Sequence, residues 1–494
     1  MLIPTARVDT GRSSANYFET SLMPSNVTAG KFGLVGTMPV DGDLYSQPIY
    51  IPSVTISGTP RDLIVIATMH NSVYAFDANG FGRVWMTNFG TAWQYPNYPH
   101  NEKSPLLYRR EVGSASVSAD VANGWVFAVT ADNSGTWTLR KLALATGRLL
   151  ASREISGQVT GTGCAGHEDS TRGKDLLFDG RKQLQRTALT TANGRVHVGF
   201  GGHAGILPYH GWVMAYAESD LNPAWVMSTT PSGCGGGVWN GGGGLSVLPD
   251  GDLLLGTGNG DWDGITQFGQ SVVRLKGASG AIVDWFTPVN WSVMSTMDSD
   301  LGSSPMMLIP RTTRAVAGAK DYRVFSVDWS CLGHLGGSAG GCPGAQIFTT
   351  NARGLITDHS GVYNGAFFDN TAFFPNTNGR IYRFAFVSGT FDTTPKISAA
   401  VYGFPGAQMS VSGNGARNAI VWATTTGISA LYSAEPGTLR ALDPSDLSEY
   451  WNSDASGHDA LGTLSKYAAP VVANGRVYVS TQSGYVAVYG RRGG

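Results

Sequence analysis

Short apolar runs separated by Gly-, Asn- and Asp-rich turns fill the chain from end to end. Residues 195–200, Arg-Val-His-Val-Gly-Phe, alternate polar and apolar as a half-buried strand does. One unit recurs: a short apolar strand, a turn that is often Asn-Gly or Asp-Gly, a β-branched strand, a loop, and a strand ending in an apolar-aromatic pattern. The last copy reads KYAAPVVANGRVYVSTQSGYVAVYG (466–490), and the first spans 45–80. Eight such units follow one another at a spacing of roughly 50–75 residues.

A unit of three or four antiparallel strands cannot bury both of its faces alone, whereas units packed radially about an axis can. The pattern therefore predicts an all-β, eight-bladed β-propeller; seven blades is the alternative, because the sixth and seventh units are less regular. The last unit stops after its third strand at Gly490, and KFGLVGTMPV (31–40) reads as one orphan strand near the front. That N-terminal strand is expected to close the last blade. The domain reading is a lead segment 1–31, one propeller domain 32–490 and a tail 491–494.

Composition agrees with many short strands: 67 of 494 residues are Gly and only 14% are charged. The formal net charge is −1, with no basic stripe, which argues against nucleic acid as a partner. No apolar run reaches the ~18 residues of a membrane span. The four cysteines, Cys164, Cys234, Cys331 and Cys342, lie in glycine-rich loops and form no CxxC. Two disulfides are favoured: one closing the 331–342 loop, and one linking Cys164 to Cys234. With the sequons at Asn26 and Asn290, they suggest an extracellular or periplasmic protein whose signal peptide lies outside this numbering.

The stretches VIATMHNSVYAFDANG, GTLRALDPSDL and NGRVYVSTQSGYVAVYG resemble the repeats of pyrroloquinoline-quinone-type (quinoprotein-like) propellers. The resemblance covers most of 32–490. It implies a propeller fold, and it implies pyrroloquinoline quinone and calcium as cofactors. Such repeats also occur in assembly factors and binding proteins, so activity does not follow from fold. The adjacent cysteines that stack on the quinone in many alcohol-oxidising relatives are missing.

Aligning the units gives one comparable position after each second strand, including His70, Asp132, His203, Asn259 and Lys320. The starts of the innermost strands add Gln47, Glu111, Arg186, Asn240, Asp300, His359, Gln408 and Lys466. Turn chemistry needs only Gly, Asn, Asp or Ser, so this mixture of charges and imidazoles points to a polar ligand in a funnel. Three constellations stand out. In GGHAGILPYHGWV, Tyr209 with His203 or His210 is a candidate acid–base pair. GCAGHEDSTRGKD places Glu168 and Asp169 near Arg186, and a Cys164–Cys234 link brings this loop beside Trp239. NGDWDGITQFGQ offers Asn259, Asp261 and Asp263 at calcium-loop spacing, although Gln270 replaces the final Glu. Asp298 and Asp300 form a further acidic pair for which strand-end turn chemistry is preferred.

The expected function is an exported quinoprotein-like propeller acting on a small polar or sugar-like ligand, as a quinone-type alcohol or sugar oxidoreductase. Asp300 or Glu111 would be the base, Arg186 and Lys320 would hold quinone carboxylates, and Trp239 would stack. One alternative is a cofactor-free carbohydrate lyase using Tyr209 and His203 or His210. Another is a non-catalytic propeller that binds a ligand or a protein.

Overall fold

The computed structural model describes residues 1–94, 111–112 (backbone only), 116–203, 205–350, 361–431 and 433–492. Among the described residues, eight sheets of four or five strands follow one another along the chain. They cover residues 49–88, 118–154, 183–228, 246–287, 307–349, 366–397, 408–452 and 471–491, and are numbered here as sheets 1 to 8 in that order. Within each sheet the long strands pair antiparallel, and short parallel pairs add His334–Leu335 to sheet 4 and Ala15–Asn16 to sheet 7. The fourth strand of sheet 8 comes from the front of the chain: Phe32–Pro39 pairs antiparallel with Tyr485–Arg491. This is a β-propeller architecture.

Local sequence explains the hairpins. Asn193-Gly194 and Asn474-Gly475 carry positive φ at both positions (53° and 71°; 50° and 73°), the geometry that matches the twist of two adjoining strands. The strands between such turns are buried on both faces. In Trp125–Ala131 every residue but the first is buried, so the run is continuously apolar rather than alternating. Each apolar core lies between consecutive sheets. Ile49, Leu63 and Val126 pack between sheets 1 and 2, and Val129, Val198 and Trp212 between sheets 2 and 3. The series continues to Trp422 and Tyr489 between sheets 7 and 8. One further core, with Tyr50, Ile64, Tyr478 and Val488, joins sheet 8 to sheet 1.

The N-terminal residues visit the sheets in order. Ile3 exchanges backbone hydrogen bonds with Tyr50 of sheet 1, and the Pro4 carbonyl accepts from Ala119 of sheet 2. Thr5 Oγ1 donates to the Leu189 carbonyl at the edge of sheet 3. The carbonyls of Thr10, Gly11, Ser13 and Ser14 accept from Val247, Leu308, Phe367 and Val411 of sheets 4 to 7. Asn16 Nδ2 donates to the Val472 carbonyl of sheet 8 at 2.8 Å. Every one of these partners lies on, or next to, the first strand of its sheet, or in sheet 3 next to Thr190–Ala192, which with Gln183–Leu184 flanks the same neighbouring strand. The eight first strands therefore surround residues 3–16. Holding this path requires left-handed backbone at Arg7, Val8, Arg12 and Ser14 (φ 64°, 77°, 64° and 56°), which is uncommon away from glycine and costly for a β-branched residue such as Val8.

Two disulfides are present, Cys164–Cys234 and Cys331–Cys342. The first ties the connection between sheets 2 and 3 to the connection between sheets 3 and 4. No helix among the described residues is long and apolar enough to cross a membrane.

Candidate functional site

An ion cluster forms where sheets 4 and 5 meet, with Asp300 buried, Lys320 largely covered and Asp298 exposed. Lys320 Nζ lies 2.7 Å from Asp300 Oδ2 and 2.7 Å from Asp298 Oδ2. The Asn259 amide donates to Asp300 Oδ1 at 2.6 Å, and the Asn259 side chain donates to Asp298. Gly258 permits this approach, because a Cβ there would collide with Asp300 Oδ1 and crowd Trp239 Nε1. Burial raises the Asp300 pKa; Lys320 opposes that rise and Asp298 adds to it. Burial would lower the Lys320 pKa, but the carboxylates outweigh it and hold the ammonium charged.

An aromatic and cationic group lies next to this cluster. Trp239 packs its face against Gly201 and Gly237, where a Cβ would overlap the indole. The Arg186 guanidinium sits 5.8 Å from the Trp239 ring centre and 4.0 Å from that of Tyr467, within cation–π range. Arg186 has no carboxylate partner among the described residues, and its buried Nε has no hydrogen-bond partner, nor has Trp239 Nε1. Lys466 donates to the Leu431 carbonyl at 3.3 Å. Burial and the neighbouring Arg186 charge bring the Lys466 pKa down to about 8. Tyr363 and Tyr467, whose ring centres are 5.8 Å apart, form an apolar wall with Phe404.

The remaining sequence candidates are placed as follows. His203, Tyr209 and His210 turn to three different partners. His203 meets Trp93 edge-on at 5.3 Å, and burial pushes its pKa down to about 3 against a hydrogen bond to the Gln183 backbone. Tyr209 packs on Trp239, with ring centres 5.8 Å apart. Both His210 nitrogens face acceptors: Nδ1 the Thr230 carbonyl at 2.9 Å and Nε2 the Asp169 carboxylate at 2.8 Å. Burial would raise the Asp169 pKa, but His210 and the Cys164 amide hold it well below the usual range. His210 and Asp169 thus pin the loop that carries the Cys164–Cys234 bridge. Asp132 is exposed and accepts from Ser134 and Thr136 in its own turn. The His70 backbone is held by Thr68 and Asn88. Asn240 and Gln408 are buried beside the N-terminal segment. His359 and the Glu111 side chain lie outside the described residues.

Asn259, Asp261 and Asp263 also diverge. Asp261 accepts from the Cys234 amide at 2.8 Å, and Asp263 is saturated by the amides of Ile265, Thr266 and Gln267. Among the described residues no group of three His, Cys, Asp or Glu side chains is placed to hold a metal ion. The residues around Lys320 do not fit a divalent cation either. Calcium takes six to eight oxygens, whereas here two carboxylates and the Asn259 side chain surround the Lys320 ammonium, 2.7 Å from Asp298 and Asp300, whose charge would repel the ion. Among the described residues, the donors left without a partner in this region are Arg186 Nε and Trp239 Nε1, the kind of group that an acceptor-rich ligand would use.

Sequence reasoning missed Tyr363, Tyr467 and Arg7. Nothing distinguishes the two tyrosines from core aromatics in the pattern, and Arg7 lies in what reads as a lead segment.

The fold has solved counterparts. A quinohemoprotein alcohol dehydrogenase of Pseudomonas putida is similar over 99% of this chain and 80% of its own, with a TM-score of 0.65 at 14% identity. A europium-containing methanol dehydrogenase is similar over 99% of this chain and 98% of its own, with a TM-score of 0.58 at 13% identity. BamB from Moraxella catarrhalis is similar over 93% of this chain and 99% of its own, with a TM-score of 0.54 at 11% identity. No family model matches the chain, and no curated protein matches it. At these identities the likeness is one of fold alone.

Proposed function

We propose that the eight sheets are the blades of one propeller closed by Phe32–Pro39, and that its mouth is a quinone-type site oxidising a hydroxyl of a small polar or sugar-like substrate. The observation that carries this reading is the Asp298–Lys320–Asp300 cluster, with Asp300 buried and Asp298 at the surface, next to Trp239 and an Arg186 with no carboxylate partner among the described residues.

The roles follow from the chemistry of each group. Trp239 offers an indole Nε1–H, and Arg186 and Lys466 supply positive charge for carboxylates on a planar ligand. A bound quinone would supply the two-electron acceptor. Asp300 accepts the substrate hydroxyl proton; its burial makes it a stronger base than an exposed carboxylate. Lys320 keeps its charge and stabilises the alkoxide that forms as the proton leaves. The wall of Tyr363, Tyr467 and Phe404 limits water around these charges. The two disulfides support an exported protein.

The test is reconstitution with pyrroloquinoline quinone, with and without calcium, followed by dye-linked oxidation of an alcohol and aldose panel. Activity without added calcium that is lost in Asp300→Asn, with quinone binding retained, supports the reading. Failure to bind quinone at all overturns it and favours a non-catalytic binding propeller, the reading to which the BamB likeness belongs.

A further inference from the structure

Arg7 is a cation sealed inside the molecule, with no exposed surface and no carboxylate partner among the described residues. Its Nη2 donates to the carbonyls of Gly241 (2.8 Å) and Tyr467 (3.2 Å), and its Nη1 to Asn364 Oδ1. Its Nε has no partner. Burial, then the charge of Arg12, lowers its pKa to about 9, which leaves it protonated at neutral pH. Gly241 is required here: its φ is +47°, and a Cβ would collide with the Tyr363 carbonyl. Neutral carbonyls solvate a buried guanidinium only in part, and the desolvation of an unpaired ion is costly.

The groups around Arg7 are oriented by it, and all in one sense. The Arg7 amide donates to Gln47 Oε1 at 3.1 Å. Because Asn364 Oδ1 is taken by Arg7, Asn364 Nδ2 turns to Gln408 Oε1 at 3.2 Å. Each bond consumes the acceptor end of a glutamine and leaves its amino group over. Gln47 Nε2 and Gln408 Nε2 have no partner, on side chains 2% and 0% exposed. Asn240, next to the Gly241 carbonyl that Arg7 binds, is 1% exposed and has neither amide atom bonded. The unused atoms are four donors (Arg7 Nε, Gln47 Nε2, Gln408 Nε2 and Asn240 Nδ2) and a single acceptor, Asn240 Oδ1. Buried unsatisfied polar groups are few in native proteins, and a cluster dominated by donors around one cation is complementary to an anion.

We propose that a small monoanion, chloride or a short carboxylate, is bound inside the first strands against Arg7, with Gln47, Asn240 and Gln408 as donors. The donors are one guanidinium and three neutral amides, and Arg12, the other buried charge near Arg7, already donates to Leu245, Thr5, Ala6 and Thr190; the cluster therefore fits a single negative charge rather than a phosphate dianion. The site is separate from the Asp300–Lys320 cluster and does not depend on the quinone reading. Tyr467 lies between Arg7 and Arg186, offering its carbonyl to the first and its ring to the second.

The test uses the full chain, exchanged from chloride into bromide or acetate, or into gluconate as a bulky control, at constant ionic strength. In crystals grown in bromide, an anomalous peak within hydrogen-bond distance of Arg7 Nε is expected if the occupant is a halide. In solution, chloride, bromide or acetate should raise Tm saturably over gluconate. That rise should vanish in Gln408→Leu and in Gln47→Leu, and persist in Lys466→Met at the mouth. A response to acetate without a bromide peak assigns the site to a carboxylate, which also supports the proposal. Density that refines as water, together with equal Tm responses in wild type and both glutamine variants, overturns it. Two glutamine variants are used so that a folding failure in one leaves the other to decide, and Arg7 itself is left in place.

Discussion

Lys320 and Asp300 form an ion pair of 2.7 Å with almost no solvent access, their side chains being 15% and 7% exposed. Removing one partner from such a pair leaves a buried charge uncompensated. Lys320→Met is therefore expected to lose about 3 kcal/mol of stability. Asp300→Asn/Lys320→Met should lose much less than the sum of the two single variants. Urea unfolding of the four proteins measures both quantities, and additive losses would show that the two groups do not interact.

The cluster shows what the sequence carried and what it did not. Repeat spacing and turn residues made the all-β propeller legible, and the orphan strand near 31–40 lies beside the last sheet. Position at strand starts also flagged Arg186, Asn240, Asp300 and Gln408, because the repeat gives each sheet an equivalent residue. Asp298 read as turn chemistry, since an Asp at a strand end bonds local amides in most settings. Its role appears only when Lys320, on another loop, reaches it. Arg7 was illegible for a different reason. Its partners are the Gly241 and Tyr467 carbonyls and the side chains of Asn364 and Gln47, up to 460 residues away, and nothing in the repeat pattern links them to position 7.

The disulfides should differ in worth. Cys164–Cys234 spans 70 residues and Cys331–Cys342 spans 11. On loop-closure entropy the first contributes about 4 kcal/mol and the second about 3. The first bridge also carries the Cys164 amide that bonds Asp169, the partner of His210. Cys164→Ser/Cys234→Ser is thus expected to lower Tm more than Cys331→Ser/Cys342→Ser. It should also expose the 163–175 loop to proteolysis, which the second pair should not; equal losses would remove the role given to the Asp169–His210 contact.

Glu218 sets a pH dependence. Burial, then a hydrogen bond and charge repulsion from Asp120, raises its pKa to about 7, against the opposing pull of Lys141. A carboxyl whose folded pKa lies above its unfolded value of 4.5 favours folding in its protonated form. Its contribution is complete below about pH 4.5, declines as pH rises toward 7 and is gone above that. Glu218→Gln should therefore stabilise the protein at pH 8, by about 2 kcal/mol, and leave it nearly unchanged at pH 4.5. Denaturation midpoints of both proteins across that range measure the difference, which should be flat if Glu218 titrates normally.

Lys466 ties ligand affinity to pH in the opposite direction. Its folded pKa of about 8 lies below the ordinary 10.5, first through burial and then through Arg186. For folding alone, this lysine's contribution is complete above the unfolded value and is lost as pH falls through about 8, where it must charge beside Arg186. An anionic ligand at the mouth reverses the balance, because it offers a partner to both cations. A carboxylate-bearing quinone should therefore bind more tightly below pH 8 than above it, and bound ligand should raise the apparent pKa of Lys466. Lys466→Met should remove the pH dependence between 7 and 9 while leaving Arg186 to bind the carboxylate more weakly. Isothermal titration at pH 7 and pH 9 compares the two proteins directly. An affinity that changes equally with pH in both would assign the titration to another group and take Lys466 out of the site.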